Sequence, residues 1–279
     1  MFIGSMLFLC TLLAFVPDHT AGSFFERVWE YIVITFTFNF SGLSAEYGEP
    51  IIDVITSRLI VTFKLLGGAV LLTLLFSLPF GIWGALRPKS RIHQVLVYPV
   101  YLFSSIPVLI WSMLLLVLVF LGFSMVPLYD DLHGAGLVQG ILVLSPPILA
   151  LAIGDGMLYD TYRNIRTEVR SLLLKPWVKG LKSRGRSLYG HIIRGLVEPL
   201  TVSVSSKLTY LISGAIVVEM IFTWQGIGLL ILDVLRREGT KDYPLLIAAL
   251  MVIVILVIIG SFIREFVHIK MNPQNSGGR

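Results

Sequence analysis

With 279 residues, 56% of them hydrophobic and only 14% charged, and a mean hydropathy of +0.84, the chain is too apolar for a soluble domain, which would expose large contiguous apolar patches. Its apolar runs are continuous rather than alternating, and several are long enough for a hydrocarbon core of about 30 Å. The fold class is therefore an all-α polytopic membrane protein, not a β-barrel. In that class a net charge of +5 reads as the cytoplasmic bias of loop Lys and Arg and not as a nucleic-acid footprint. The single cysteine, Cys10, lies in an apolar run and supports neither a disulfide framework nor a zinc cluster.

Residues 2–17 read as a short first transmembrane helix in preference to a signal peptide, because a basic n-region and a small-x-small cleavage site are both missing. The following stretch to Arg58 is acidic (Asp18, Glu26, Glu30, Glu46, Glu49 and Asp53 against Arg27 and Arg58) and reads as an extracytoplasmic interfacial segment, so that 1–58 forms a first unit. Residues 59–273 form the main transmembrane domain. Its spans are predicted over Leu59–Leu86, Val95–Phe123 with a kink at Pro107, Leu137–Tyr159 bent or broken at Pro146 and Pro147, Leu200–Phe222 and Tyr243–Val267. About six transmembrane helices result, and the polar tail 274–279 reads as disordered. With both termini cytoplasmic, fifteen Lys and Arg fall inside and five outside, which fixes the orientation by the positive-inside rule.

The segment from about 168 to 199 is the one long polar stretch in the middle of the chain and carries the densest positive charge. A solvated loop or a lipid-headgroup patch is one reading. Apolar residues such as Leu172, Trp177, Val178, Leu181 and Ile192 punctuate the charges, however, which predicts short amphipathic helices broken at Pro176, Gly180 and Gly185, a handle for a partner. The run from Gly180 to Ser187 nearly matches a phosphate-binding loop, but Arg186 replaces the required Lys and no apolar strand precedes it. Asp155 and Asp160 evoke intramembrane aspartyl proteases, whose two carboxylates must face each other from different helices; here both fall on one predicted helix. The five histidines are scattered and read as interfacial or structural. No catalytic group or metal site is predicted.

Ionisable residues inside spans carry functional suspicion. Lys64 is close enough to its span's outer end to snorkel. Lys207 and Asp155 share a depth and are predicted to pair. Glu219 either lines a translocation path or holds the loop after it, and the turn from Trp224 to Gly228 reads as a structured element at the outer mouth or as an ordinary interfacial tryptophan. Gly67, Gly68, Gly81, Gly84, Ser203, Ser213 and Gly214 permit close helix contact, with a second copy or within one bundle.

Several runs carry a family likeness. They are Lys179-Gly180-Leu181, the run from Gly190 to Pro199 (GHIIRGLVEP), the run from Gly214 to Glu219, the turn Phe222 to Gly228 (FTWQGIG), Asp242-Tyr243-Pro244 and Asn272-Pro273. Weaker matches are Tyr47 to Pro50 with Arg58 and Thr62, and Ser105-Ile106-Pro107. Together they resemble the permease subunits of ATP-binding-cassette importers of the dipeptide, oligopeptide and nickel group, with Gly195 standing where that family commonly has Asn and Gln225 where it has Pro.

The resemblance implies a type I importer permease fold with a cytoplasmic coupling helix around Gly180, where Trp177, Lys179, Gly180, Leu181, Arg184 and Gly185 would meet the ATPase. Asp155, Lys207, Glu219, Trp224, Gly226 and Gly228 are candidates for the translocation path or its gating. The chain would bind no cofactor itself, ATP and Mg being used by the partner. Implied partners are ATP-binding-cassette ATPase subunits, a second permease, an extracytoplasmic solute-binding protein and membrane lipid, without nucleic acid, in the bacterial inner membrane. The solute would be a peptide or a related small solute, including a metal. The alternative is a secondary transporter or channel, which works without an ATPase and tolerates loss of the central segment.

Overall fold

The computed structural model describes residues 42–45, 47–123, 137–184, 189–236 and 242–271, with positions 26, 29, 32 and 33. The first predicted helix (2–17) and the tail lie outside them. The described chain is all helical apart from one isolated bridge between Leu43 and Pro50. The helices are α1 (Ile51–Leu86), α2 (Arg91–Ser104), α3 (Val108–Phe123), α4 (Leu137–Ile153), α5 (Met157–Leu174), α6 (Pro176–Ser183), α7 (Tyr189–Ile221), α8 (Ile227–Arg236) and α9 (Tyr243–Met271).

Two of these are long and apolar enough to cross a bilayer alone, α1 and the Tyr243–Ile263 part of α9. Two bent pairs, α2 with α3 and the two arms of α7, pass the same test together, which makes two to four candidate spans among the described residues. Six were expected. The first lies outside the described residues, and α4, at 17 residues, is shorter than the ~20 that a straight span needs. α1 opens at Ile51, ahead of the expected Leu59, and its 36 residues extend about 54 Å. It is thus longer than the hydrocarbon core is thick, and α5 is its most extensive partner.

The chain turns differently from expectation at its prolines. Pro107 was expected to kink one span, but α2 and α3 meet at 104°. Ser105 and Ile106 donate to the Leu102 and Phe103 carbonyls, closing α2, and Trp111 N–H donates to Pro107 O (3.1 Å), opening α3. Proline has no N–H to continue the ladder and disfavours helical backbone in the residue before it, so a new helix starts instead of a bend. At Pro146 and Pro147 the opposite holds: α4 runs through both. The break comes later, at Gly154–Gly156, where Asp155 (φ 52°) and Gly156 (φ 76°) are left-handed. Asp and Gly are the residues that tolerate that geometry.

Three apolar clusters are joined by these helices. One ties Ile51, Val54 and Ile55 of α1 to α8 and the start of α9. The second packs α1, α3, α4 and α7 around Leu65, Ala69, Leu151, Leu211, Phe222 and Trp224. The third joins Ala85, Ile165, Val169, Ile192 and Leu196 near the basic loops. Several small residues serve contacts within the chain: a Cβ at Gly68, Gly81 or Gly214 would lie within 2.9 Å of Ile148, Ile165 or Leu151, and the Ser203 hydroxyl accepts from Asn164 (3.1 Å). Gly67 and Ser213 face outward. The remaining exposed surface is rich in Leu and Phe (Leu71, Leu75, Leu121, Phe262, Phe266), as a lipid-facing surface is.

Candidate functional site

At one end of the bundle, residues far apart in sequence converge on the first turn of α8. A helix begins with N–H groups that have no intrahelical acceptor, and here each finds one. Ile227 N–H donates to Thr62 Oγ1 (2.9 Å), Gly228 and Leu229 N–H donate to Glu219 Oε2 (2.8 and 3.3 Å), and Leu230 N–H donates to Gly226 O (3.0 Å). Thr62 donates in turn to Glu219 Oε1 (2.7 Å). Glu219 is completely buried, and its carboxylate acts as a cap shared by α1, α7 and α8.

The glycines of the turn make this approach possible. A Cβ on Gly226 would overlap the Glu219 carboxylate, and one on Gly228 would sit 2.7 Å from Ile216 Cα. Trp224, fully buried in the second cluster, is packed inside the protein instead of lying at the lipid interface. Thr223 takes φ 50° so that Trp224 N–H can return to Glu219 O (2.8 Å).

Around this cap lies a polar ring. Arg58 Nη1 donates to Gln225 Oε1 (2.9 Å), so the side chain at the position where the family commonly has Pro is used. The Arg58 guanidinium also stands over the Tyr47 ring at 5.6 Å. Ser44 donates to Asp242 Oδ2 (2.7 Å), whose Oδ1 accepts from Leu245 N–H (3.1 Å) and caps α9. A cavity of about 280 Å³ opens beside Tyr47, Glu49, Ser57, Arg58 and Gln225. Ser44 was missed in the sequence because a lone serine in a polar loop carries no signal. The Asp242 cap was missed too, although Asp ahead of an apolar helix with Pro in its first turn is the signal that finds it.

Deeper, Lys207 pairs with Asp160 (2.6 Å) and not with Asp155 as expected. The left-handed turn at 155–156 restarts the helix, so Asp155 and Asp160 no longer share one continuous face. Asp155 instead accepts from Val108 N–H (3.3 Å), capping α3. Lys207 also lies 5.7 Å from the Tyr210 ring, just where α7 bends by 51°. Lys207→Met and Asp160→Asn are expected to be non-additive in a double-mutant cycle, with a coupling of about 1 kcal/mol, whereas Lys207→Met with Asp155→Asn should add. Thermal unfolding of the three single and two double variants in detergent checks both.

At the other end α5 runs to Leu174, and extended Lys175 (φ −65°, ψ 143°) turns the chain into α6. Pro176 stands at the first helical position, where its missing N–H costs nothing. Gly180 does not break the segment as expected; α6 continues through it to Ser183. Val178, 3% exposed, anchors the helix, while Gly180 and Arg184 are exposed and nothing lies within 4 Å of a Cβ built on Gly180. Trp177, Lys179 and Leu181 lie on the same helix. Gly185 lies outside the described residues.

A helical, multi-pass membrane chain with a capped element at one face and a short exposed amphipathic helix at the other has the form of a membrane permease subunit. The chain belongs to the family of binding-protein-dependent transport system inner membrane components, whose family model matches residues 77–272. It is 25% identical over 243 residues to the oligopeptide transport system permease protein AppB of Bacillus subtilis (strain 168), covering 81% of this chain and 72% of that one. Against the dipeptide transport system permease protein DppB of Escherichia coli (strain K12) the identity is 20% over 259 residues, covering 84% and 76%. Against the metal-staphylopine import system permease protein CntB of Staphylococcus aureus (strain Mu50 / ATCC 700699) it is 22% over 240 residues, covering 85% and 73%. The chain is thus the inner-membrane permease of a binding-protein-dependent ABC importer and has no ATPase activity of its own; such a transporter implies ATPase and binding-protein partners.

Proposed function

We propose that this permease carries peptides, or a metal complex of similar size, inward, and that α6 is the helix through which ATPase subunits drive it. The oligopeptide, dipeptide and metal-staphylopine systems of its relatives support the first part. The observation that carries the second is the position of α6: a short helix at the end of the long arm α5, anchored by Val178 and open around Gly180. α5 packs along α1 and against α7, so a pull on α6 reaches the inner half of both. The left-handed turn at Asp155–Gly156 is the joint about which α5 moves relative to α4, and the Lys207–Asp160 pair sits where that motion meets the bend of α7. On this reading Asp155 and Lys207 act in gating, and Glu219, Trp224, Gly226 and Gly228 hold the outer mouth where a binding protein delivers solute. A second permease completes the pore, and both termini are cytoplasmic, with 1–58 as the outer segment and 59–273 as the permease domain.

A cysteine introduced as Ser183→Cys in a Cys10→Ser background tests this. Ser183 is exposed, and its hydroxyl donates within α6 to Gly180 O (3.0 Å). Crosslinking in native membranes is expected to yield an adduct with a soluble nucleotide-binding protein. Free labelling by a water-soluble reagent, without capture under turnover conditions, would overturn the coupling role and favour a transporter that works without an ATPase.

A further inference from the structure

Beside the basic turn between α1 and α2 stands an aromatic assembly that the proposed transport role does not use. Trp83 of α1 meets His93 of α2 edge-on at 5.3 Å, and His93 meets Tyr162 of α5 at 5.8 Å. Tyr162 meets Tyr159 at 5.9 Å, and Tyr159 meets Tyr101 of α2 at 5.0 Å. His93 is 2% exposed and its Nε2 lies 3.3 Å from both the Phe80 carbonyl and the Tyr162 hydroxyl, in space that Gly84 leaves free. This row fixes α2 across α1 and α5.

Next to it is an open cavity of about 230 Å³, lined by Gln94, Tyr98, Tyr101, Tyr159, Tyr162 and Arg166. Arg166 is half-buried on its wall, and its guanidinium hydrogen-bonds with the Tyr162 hydroxyl. A guanidinium has five N–H donors, so its contact with Tyr162 leaves others for an anion at the cavity. The neighbouring carboxylates on α5 are engaged elsewhere: Asp160 holds Lys207, and Glu168 lies 3.4 Å from the Ser171 hydroxyl. Positive charge lies close to the cavity lining. Arg166 and Arg170 both act electrostatically on Tyr162 and His93, and Arg87, Lys89 and Arg91 are exposed in the turn and at the start of α2.

The setting identifies the kind of anion. α2 turns away from α3 by 104° and exposes Ile92, Val95, Leu102 and Phe103, while Gln94, Tyr98 and Tyr101, at i, i+4 and i+7, face the cavity. The Lys and Arg distribution places this end of α1 on the cytoplasmic side. A helix with an apolar outer face beside a basic turn at that level belongs in the boundary between headgroups and acyl chains.

We propose that the cavity binds the phosphate of an anionic phospholipid of the cytoplasmic leaflet. The Arg166 guanidinium is its charge-assisted donor, the tyrosines and Gln94 its wall, and the apolar face of α2 the support for its chains. Lipid held here bridges α2 and α5, and so bears on the arm that carries α6.

Native mass spectrometry of the intact transporter, released from nanodiscs of phosphatidylcholine with and without phosphatidylglycerol, tests this. The wild type is expected to retain a phosphatidylglycerol on this chain. Retention should fall roughly tenfold in Arg166→Gln, by less in Arg166→Lys, and not at all in Arg163→Gln. Tyr98→Ala should also weaken it; Tyr98 is 63% exposed, so this variant decides the matter if Arg166→Gln fails to assemble. Equal retention in wild type, Arg166→Gln and Tyr98→Ala, equal retention of phosphatidylcholine, or occupation by added inorganic phosphate in its place would each overturn the proposal.

Discussion

Glu219→Ala is expected to destabilise the permease by about 3–5 kcal/mol and to reduce transport to background. The carboxylate takes donors from Thr62, Gly228 and Leu229, so alanine leaves buried donors with no acceptor, and each orphan costs about 1–3 kcal/mol. A cavity is added in place of the missing atoms. Glu219→Gln is expected to cost far less. Its carbonyl oxygen can keep the α8 amides, while its NH₂ donates to Thr62 Oγ1 once that hydroxyl turns its proton to the Arg58 carbonyl, 3.4 Å away. Gly228→Ala should resemble Glu219→Ala, because its Cβ meets the α7 backbone at Ile216, which cannot step aside as a flexible side chain can. Thermal unfolding in detergent, run beside solute uptake in reconstituted vesicles, checks the order. An alanine variant that melts like the wild type yet fails to transport would make Glu219 a lining group of the path and not the cap of α8.

How much of this was legible beforehand depends on the range of the forces involved. Helix existence follows from long apolar runs, so α1, α7 and α9 were visible in outline. The outer site was visible as motifs, because Glu219, Gly226 and Gly228 lie close in sequence. Their joint purpose was not, since the fourth member, Thr62, sits 157 residues from Glu219. The prolines misled because proline alone does not say whether a helix ends. At Pro107 the freed backbone has waiting partners, Asp155 on Val108 N–H and the Trp111 indole on Phe103 O (2.8 Å); at Pro146 and Pro147 the helix simply continues. The Lys207 partner was misassigned for a related reason. Depth along a span narrows the candidates to a turn or so, but the left-handed backbone at Asp155 rotates the next carboxylate, Asp160, into reach, and no periodicity rule anticipates such a turn.

Gly180→Leu is expected to do what Glu219→Ala does to transport, but without touching stability. Gly180 lies inside α6, is exposed, and has nothing within 4 Å of where its Cβ would stand. A Cβ there has open space among the described residues, and leaving glycine in a helix interior is favourable by up to about 1 kcal/mol. Melting should therefore stay level or rise slightly. A bare backbone on an outward face has its use when another protein must come close to it, and a leucine would hold that protein off by the thickness of a side chain. ATPase-subunit capture and ATP-dependent uptake should both fall at least about tenfold, the effect of losing roughly 1.4 kcal/mol of association, with Gly180→Ala intermediate. If α6 were instead a solvated loop or a headgroup patch, as the density of Lys and Arg around it also permits, leucine would be tolerated and uptake would not change. The contrast is decisive because the two variants fail differently: one loses its fold at the outer mouth, while the other keeps its fold and loses its drive.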